Sequence, residues 1–497
     1  MPTDVSENFQ EFATALLLQP KSVGWTPRLL LICIGTTVGA VVPIGYALGV
    51  MNTPAEVIKE WAIASVAETY GAELNPTNAD VLWASIVSIF QVGGILGSFI
   101  SGTFSNKFGR RGCLLISGCL LICAGLLLGF CRMIGLVEML LLGRFLIGIS
   151  TALIYTAQPM YLLECAPIHL RGSAGVFTLL GITGGIVVGQ IFSFEQVFGN
   201  VKDWDAALDS YLFCVLIGFL PIFWFPESPS WIMNVRQDEE FARASLKSLR
   251  GKNADDIINA EIAEIKASAA ASSEILSFSA VMKSSELCLP MLIVISFMAC
   301  QGLSGINGIF FYSVRIFTKC GFSTESAAWM NFGAGVLNFI FALVSFVVMQ
   351  KFNRRPCMLL SSGACAISLF GLGFALKYID SVSWFPILCV LLMASFIIFF
   401  NFGLGPIPFF IGTELFELPP RSVGMSAGNF SCWTGNFLIG MFFPVVESAI
   451  GPFCFLPCGG VCIYCFLLTW RYLPETQRIR PSEVKTLMAD GLKSKVT

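Results

Sequence analysis

The chain has 497 residues, 55% of them hydrophobic and only 12% charged, with a formal net charge of −2. Soluble domains carry roughly 25% charge, so most of this chain is built to sit in lipid. The charge balance leaves no basic domain for nucleic acid, no phosphate-binding glycine loop is present, and the polar, acidic first stretch lacks the apolar core of a cleavable signal peptide.

In chain order, a polar tail (1–27) precedes apolar spans at about 28–50, 81–103, 113–132, 138–162, 173–194 and 208–225. A polar interval follows at 226–285, then spans at about 287–312, 326–349, 357–377, 384–412, 423–446 and 451–471, and a polar tail at 472–497. Each span is near the roughly 20 residues that cross a bilayer as a helix. The pattern predicts an all-α membrane protein of twelve transmembrane helices. Its divisions are an N-terminal six-helix bundle (28–225), a small helical linker domain (226–285), a C-terminal six-helix bundle (286–471) and the two tails.

Lys and Arg in short loops set the orientation. The dense clusters (Lys107, Arg110, Arg111, Arg171, Lys351, Arg354, Arg355, Arg421) fall on one side. The other side holds scattered bases, Arg144 among them, diluted by Glu and Asp. Both termini and the linker domain are therefore expected in the cytoplasm. Within the linker, Phe241, Ala242, Ser245 and Leu246 form one helical stripe, and Ile258, Ile262 and Ile265 another. Acids lead both, as suits the positive end of a helix.

Three signatures recur at half the chain length. Lys107-Phe108-Gly109-Arg110-Arg111 returns as Lys351-Phe352-Asn353-Arg354-Arg355, Glu164 with Arg171 as Glu414 with Arg421, and Pro226-Glu227-Ser228 as Pro474-Glu475-Thr476. Near-equal offsets indicate two halves duplicated in parallel, an arrangement of transporters with the substrate near the midplane. Topology alone explains the arginines but not the matched glutamates. Arg110, Arg111, Glu164, Arg171 and Glu227 in one half, and Arg354, Arg355, Glu414, Arg421 and Glu475 in the other, read as a cytoplasmic latch of Arg–carboxylate pairs that forms when the inner ends of the two halves are together and so stabilises the outward-open state.

The seventh span holds Gln301-Gly302-Leu303-Ser304-Gly305-Ile306-Asn307-Gly308. Polar groups here face a cavity or a neighbouring helix, and the glycines weaken the helix. Gln301, Ser304, Gly305 and Gly308 share a stripe; Asn307 lies on its flank, and opening the helix at the glycines brings it to the same cavity. Packing through small residues is the competing explanation. The 18 cysteines lie mostly in apolar runs and read as small buried hydrophobes. With His169 the single histidine, no metal site and no cofactor are expected. Pro76 blocks the sequon at Asn75 and Asn429 falls at or inside a span, so no N-glycan is expected.

Taken together, the Lys-Phe-Gly-Arg-Arg loop, Pro-Glu-Ser-Pro (226–229), Gln-x-Leu-Ser-Gly-Ile-Asn (301–307), Gly-Pro-Ile-Pro-Phe (405–409) and Pro-Glu-Thr (474–476) resemble the sugar porter family of the major facilitator superfamily. The facilitative glucose transporters are the nearest likeness. The resemblance implies the major facilitator fold and alternating access for hexoses. It assigns substrate contact to Gln301, Asn307, Asn338 and Asn436, with Trp433 beside the site and Phe409 as a cavity wall. It makes Phe311 and Tyr312 an outer gate and Gly405, Pro406 and Pro408 a hinge.

Several family positions differ. The second seventh-helix Gln is Gly302, the fifth-helix Gln is Leu179 with Thr178 beside it, the tenth-helix Trp is Phe409, and the Glu before Gly-x-Gly-Pro is Asn401. A second eleventh-helix Asn is Cys432, and the Arg after Pro-Glu-Ser-Pro is Ser230. Some of the family's glucose contacts are thus absent, which leaves fructose or another polar solute open beside glucose. No Asp, Glu, Lys or Arg lies within 29–50, where proton-driven relatives carry an Asp, which favours uncoupled transport. The expectation is a non-enzymatic monosaccharide uniporter, multi-pass in the plasma membrane. A proton-coupled sugar symporter and a transporter-like nutrient sensor are the alternatives.

Overall fold

The computed structural model describes residues 24–167, 170–251, 255–271, 278–319, 321–416, 418–476 and 488. Of the sequence expectations, most of the two tails and His169 lie outside these residues, as do the side chains of Arg171, Phe311 and Arg421. Regular structure among the described residues is helical throughout.

Long apolar helices carry the crossings. They are α1 (Pro27–Gly49), α3 (Pro76–Ile134), α4 (Val137–Cys165), α5 (Arg171–Phe192) and α6 (Trp204–Trp224) in the first half, with α2 (Ala55–Tyr70) between α1 and α3. The linker supplies α7 (Glu239–Arg250) and α8 (Asp255–Ala271). The second half has α9 (Ser285–Leu303), α10 (Ile306–Lys319), α11 (Thr324–Lys351), α12 (Arg354–Lys377), α13 (Phe385–Asn401), α14 (Ile407–Leu415), α15 (Leu418–Ile450) and α16 (Leu456–Tyr472). Because α3 covers two crossings, and α9–α10 and α13–α14 are each one broken crossing, these make twelve, six in each bundle.

Breaks fall where the backbone demands them. The rod α3 kinks at Gly109, whose φ of +82° is open to glycine. A Cβ there would lie 2.4 Å from Glu227 Oε2, so the kink and the carboxylate are fitted to each other. Between α9 and α10 the chain turns at Gly305, with φ +89°. Between α13 and α14 it turns through 402–406. Pro406 ends the turn and Pro408 follows it, and a proline carries no N–H to continue a helix ladder.

The linker helices match their sequence pattern. Ala242, Ser245 and Leu246 are buried, and so are Ile258 and Ile262, whereas Phe241 is exposed. Asp238 caps α7 by accepting from the Phe241 N–H at 2.9 Å.

Three features depart from the sequence reading. The segment after the first crossing is a 16-residue helix, α2, rather than a plain loop. Within α1, residues Thr37–Val41 form a π segment. Arg144, read as a loop base, is buried inside α4. It donates to the carbonyls of Ile86 (2.9 Å), Val87 (3.2 Å) and Ala47 (3.3 Å), tying the first, second and fourth crossings together. Carbonyl oxygens satisfy the guanidinium, which is how a buried cation is tolerated.

Candidate functional site

In the second bundle, the two broken crossings meet. Gln301, in the last turn of α9, donates from Nε2 to the carbonyl of Gly405, in the break of the tenth crossing, at 3.0 Å. Its Oε1 takes the thiol of Cys432 on α15 at 3.1 Å. Asn307, just past the Gly305 turn, donates to Asn436 Oδ1 on α15 at 2.8 Å. Asn401, at the end of α13, donates to Asn338 Oδ1 on α11 at 2.8 Å and to Ile397 O at 2.9 Å. Asn307 and Asn436 thus form one amide pair and Asn338 is paired with Asn401, while Gln301 is held by the Gly405 carbonyl and the Cys432 thiol. Each is held by a protein partner that a solute hydroxyl could replace.

Gly302 explains why the helices come so close. A Cβ at this position would sit 2.5 Å from the Cys432 carbonyl and 3.1 Å from the Asn436 N. Loss of a side chain here lets α9 lie directly on α15, and that approach puts Asn307 and Asn436 in hydrogen-bond range. The Cys432 thiol takes up the amide oxygen of Gln301 at the same contact.

Aromatic residues form the other side. Trp433 is buried, stacks on Tyr155 of α4 with centroids 5.8 Å apart, and meets Phe90 of α3 edge-on at 5.8 Å. It therefore bridges the bundles. Phe409, by contrast, is 41% exposed. Tyr312 donates to the Gly440 carbonyl at 3.0 Å and stacks on Phe443 at 5.1 Å.

A polar knot that the sequence did not single out joins the bundles on the face away from the basic loops. Asn52, after α1, donates to Phe310 O at 2.9 Å and Ser313 Oγ at 2.6 Å. Ser313 donates to Asn331 Oδ1 at 2.8 Å, and Gln190 of α5 donates to Asn331 O at 2.9 Å. Ring contact between Phe194 and Trp329 at 4.7 Å adds to it. Its signal in the sequence is weak: polar side chains near the ends of apolar spans in both halves, where such residues are common.

On the basic-loop face, the repeated motifs build the same device twice. Arg110 Nη2 lies 3.0 Å from Glu164 Oε1, and Ser228 donates to Glu164 Oε2. Arg354 Nη2 lies 3.1 Å from Glu414 Oε1, and Thr476 donates to Glu414 Oε2 at 2.5 Å. Glu227 Oε1 accepts the N–H groups of Arg110 (3.0 Å), Arg111 (3.1 Å) and Ser228 (2.8 Å). Glu475 does the same for Arg354 (2.8 Å), Arg355 (3.2 Å) and Thr476 (3.1 Å). Each carboxylate caps the start of a crossing, where unpaired N–H groups and the helix dipole favour negative charge. Burial still pushes the Glu227 carboxyl above the usual carboxylate range, against the pull of those N–H groups. These pairs lie within one bundle or the other. The expected latch between the bundles' ends is, in these contacts, a clamp inside each.

A family model described as "Sugar (and other) transporter" matches residues 32–487. The chain belongs to the sugar porter family of the major facilitator superfamily. The porter is 34% identical over 454 residues to the facilitated glucose transporter member 1 of solute carrier family 2 from Gallus gallus, covering 91% of both chains. It is 31% identical over 470 residues to member 7 from Mus musculus, covering 94% of this chain and 91% of the relative. Its fold is similar to that of the proton:xylose symporter XylE bound to 6-bromo-6-deoxy-D-glucose. The TM-score is 0.77 at 23% identity, over 93% of this chain and 99% of that one. A partially occluded inward-open form of XylE from E. coli gives 0.76 at 23% identity, over 91% and 100%. This porter is accordingly a transporter and not an enzyme.

Proposed function

We propose that the porter carries a monosaccharide, a hexose such as glucose or fructose, downhill across the plasma membrane by alternating access. The hydrogen bond from Gln301 to the Gly405 carbonyl carries this reading. It links the residue best placed to receive a sugar hydroxyl with the break in the tenth crossing. A hydroxyl that takes Gln301 Nε2 frees that carbonyl and loosens the hinge of Gly405, Pro406 and Pro408. Binding therefore biases a mobile element, which is what a carrier requires. Asn307, Asn338 and Asn436 supply further donors and acceptors as their mutual pairs open. Trp433 and Phe409 are apolar walls for the ring, and Phe311 and Tyr312 form the outer gate.

The dense basic loops support a cytoplasmic placement for that face, both termini and the linker 226–285. The knot at Asn52, Gln190, Ser313 and Asn331 is then the closed outer end. The clamps, to which the repeated motifs also assign Arg171 and Arg421, stiffen each bundle so that it rocks as a body.

Relatives named as facilitated glucose transporters and the absence of any Asp, Glu, Lys or Arg within 29–50 support uniport. The test is uptake of labelled D-glucose, D-fructose and D-xylose by purified protein in liposomes. Saturable uptake that equilibrates, is unmoved by a protonophore and is lost in Asn307→Ala supports the reading. Accumulation above equilibrium driven by a pH gradient would establish proton symport instead. Binding of a sugar with no uptake would make the chain a sensor.

A further inference from the structure

The amides at and beside the two broken crossings all belong to the second bundle, and the family's fifth-helix amide is replaced by Leu179. One turn of the first bundle holds an alternative. Gln158, on α4, is fully buried. Thr178 of α5, the neighbour of Leu179, donates to its Oε1 at 2.7 Å. The other end of the amide, Nε2, has no partner among the described residues. A buried amide donor left unpaired is unfavourable unless something else takes it up.

Three further observations tie this amide to the path of a solute. Tyr155, one turn earlier on α4, stacks on Trp433, so this flank of α4 is turned toward the second bundle. Pro159 follows Gln158 and has no N–H for the Tyr155 carbonyl, which makes this the weakest turn of α4. Thr37, at the start of the π segment of α1, also has a hydroxyl with no partner among the described residues, and a Cβ on Gly181 of α5 would lie 2.9 Å from its Cγ2. Gly181 is one turn beyond Thr178. Unpartnered polar atoms from α1 and α4 therefore flank one stretch of α5, and π segments recur at functional sites.

We propose that Gln158 is a specificity-determining residue that receives a hydroxyl of the carried monosaccharide from the first bundle, with Thr178 orienting its amide and Thr37 as a second polar contact. The amide supplied by the fifth crossing in the family pattern is here supplied by the fourth. This inference rests on the monosaccharide reading.

The test compares wild-type protein with Gln158→Leu and Thr178→Val in liposomes. KM and maximal rate are measured for labelled D-glucose and D-fructose and, by competition, for the 1-, 2-, 3- and 6-deoxy analogues. Gln158→Leu is expected to raise KM for the parent sugar about three- to tenfold, the loss of one neutral hydrogen bond, with the maximal rate unchanged. For the one deoxy analogue that lacks the hydroxyl in question, variant and wild type are expected to agree. Thr178→Val should shift the same analogue pattern in the same direction by less, and it provides the readout if Gln158→Leu does not fold. An unchanged KM for every sugar overturns the assignment, and so does an equal loss across all of them, which marks a structural role. Either result leaves sugar transport by the wild type standing. A wild type that carries none of these sugars overturns this inference and the reading beneath it together.

Discussion

At the scale of single residues, the departures from the family pattern are compensated by their neighbours. Gly302 removes an amide and lets α9 meet α15, and Cys432 fits into the contact so formed. Restoring the amide should therefore fail. Gly302→Gln forces a Cβ to within 2.5 Å of the Cys432 carbonyl, which belongs to the backbone and cannot swing aside. Uptake is expected to fall at least about tenfold and the melting temperature to drop, since overpacking costs about 1–3 kcal/mol. A gain in glucose uptake by Gly302→Gln would show that the helices have room to part. Glu227 makes a different prediction. Its carboxyl is raised by burial, so the folded state holds a proton that the unfolded state releases first. Stability from this group is complete below the ordinary carboxylate value and declines as pH climbs from there through the raised value. Glu227→Gln keeps an acceptor for the three N–H groups and removes the titration. Melting temperature measured against pH should thus fall more steeply for wild type than for Glu227→Gln across that window; parallel curves would rule the effect out.

At the scale of elements, the twelve crossings were legible because lipid demands long apolar helices, and hydropathy reads that demand directly. The breaks in the seventh and tenth crossings were legible too, since Gly305 and the Gly-Pro-Ile-Pro run announce them. The π segment of α1 was not, because nothing in Thr37–Val41 distinguishes it from ordinary helix. Nor was α2, a half-buried helix whose face is set by packing on its neighbours. Among candidate site residues, Gln301, Asn307, Asn338 and Asn436 are proposed from motifs, but their pairing could not be read, since Asn401 and Cys432 stand where the pattern has other residues. The knot on the face away from the basic loops was missed because Asn52, Ser313 and Asn331 sit near span ends, where polar residues are ordinary. The knot's importance is testable. Gln190→Leu removes both amide bonds to Asn331 while keeping an apolar body of similar size. Hydrogen exchange in 306–319 and 324–335 is expected to accelerate several-fold, as the bundles part more often on that face. Unchanged exchange there would remove the knot from the set of contacts that hold the bundles together on the face away from the basic loops.

At the scale of the whole molecule, duplication is visible twice: in the repeated motifs, and in the atoms those motifs place. Ser105 and Met349 offer carbonyls to Arg110 and Arg354, and Phe225 and Trp470 offer theirs to Arg111 and Arg355. A contact copied into both halves serves something that each half does alone. The alternative, that the arginines and glutamates lock one half to the other, makes a different thermodynamic prediction. Two clamps in separate bundles should act independently, and independent sites add to within about 0.3–0.5 kcal/mol. A lock shared between halves would be broken by the first substitution, leaving little for the second to remove. Arg110→Ala and Arg354→Ala are each expected to destabilise the protein by about 2 kcal/mol, the range for hydrogen bonds to a charged group. The clamp model predicts that the double variant shows the sum of the two losses, measured as denaturant unfolding in one detergent. A double variant no less stable than the worse single one would return these residues to the latch between bundles that the sequence suggested.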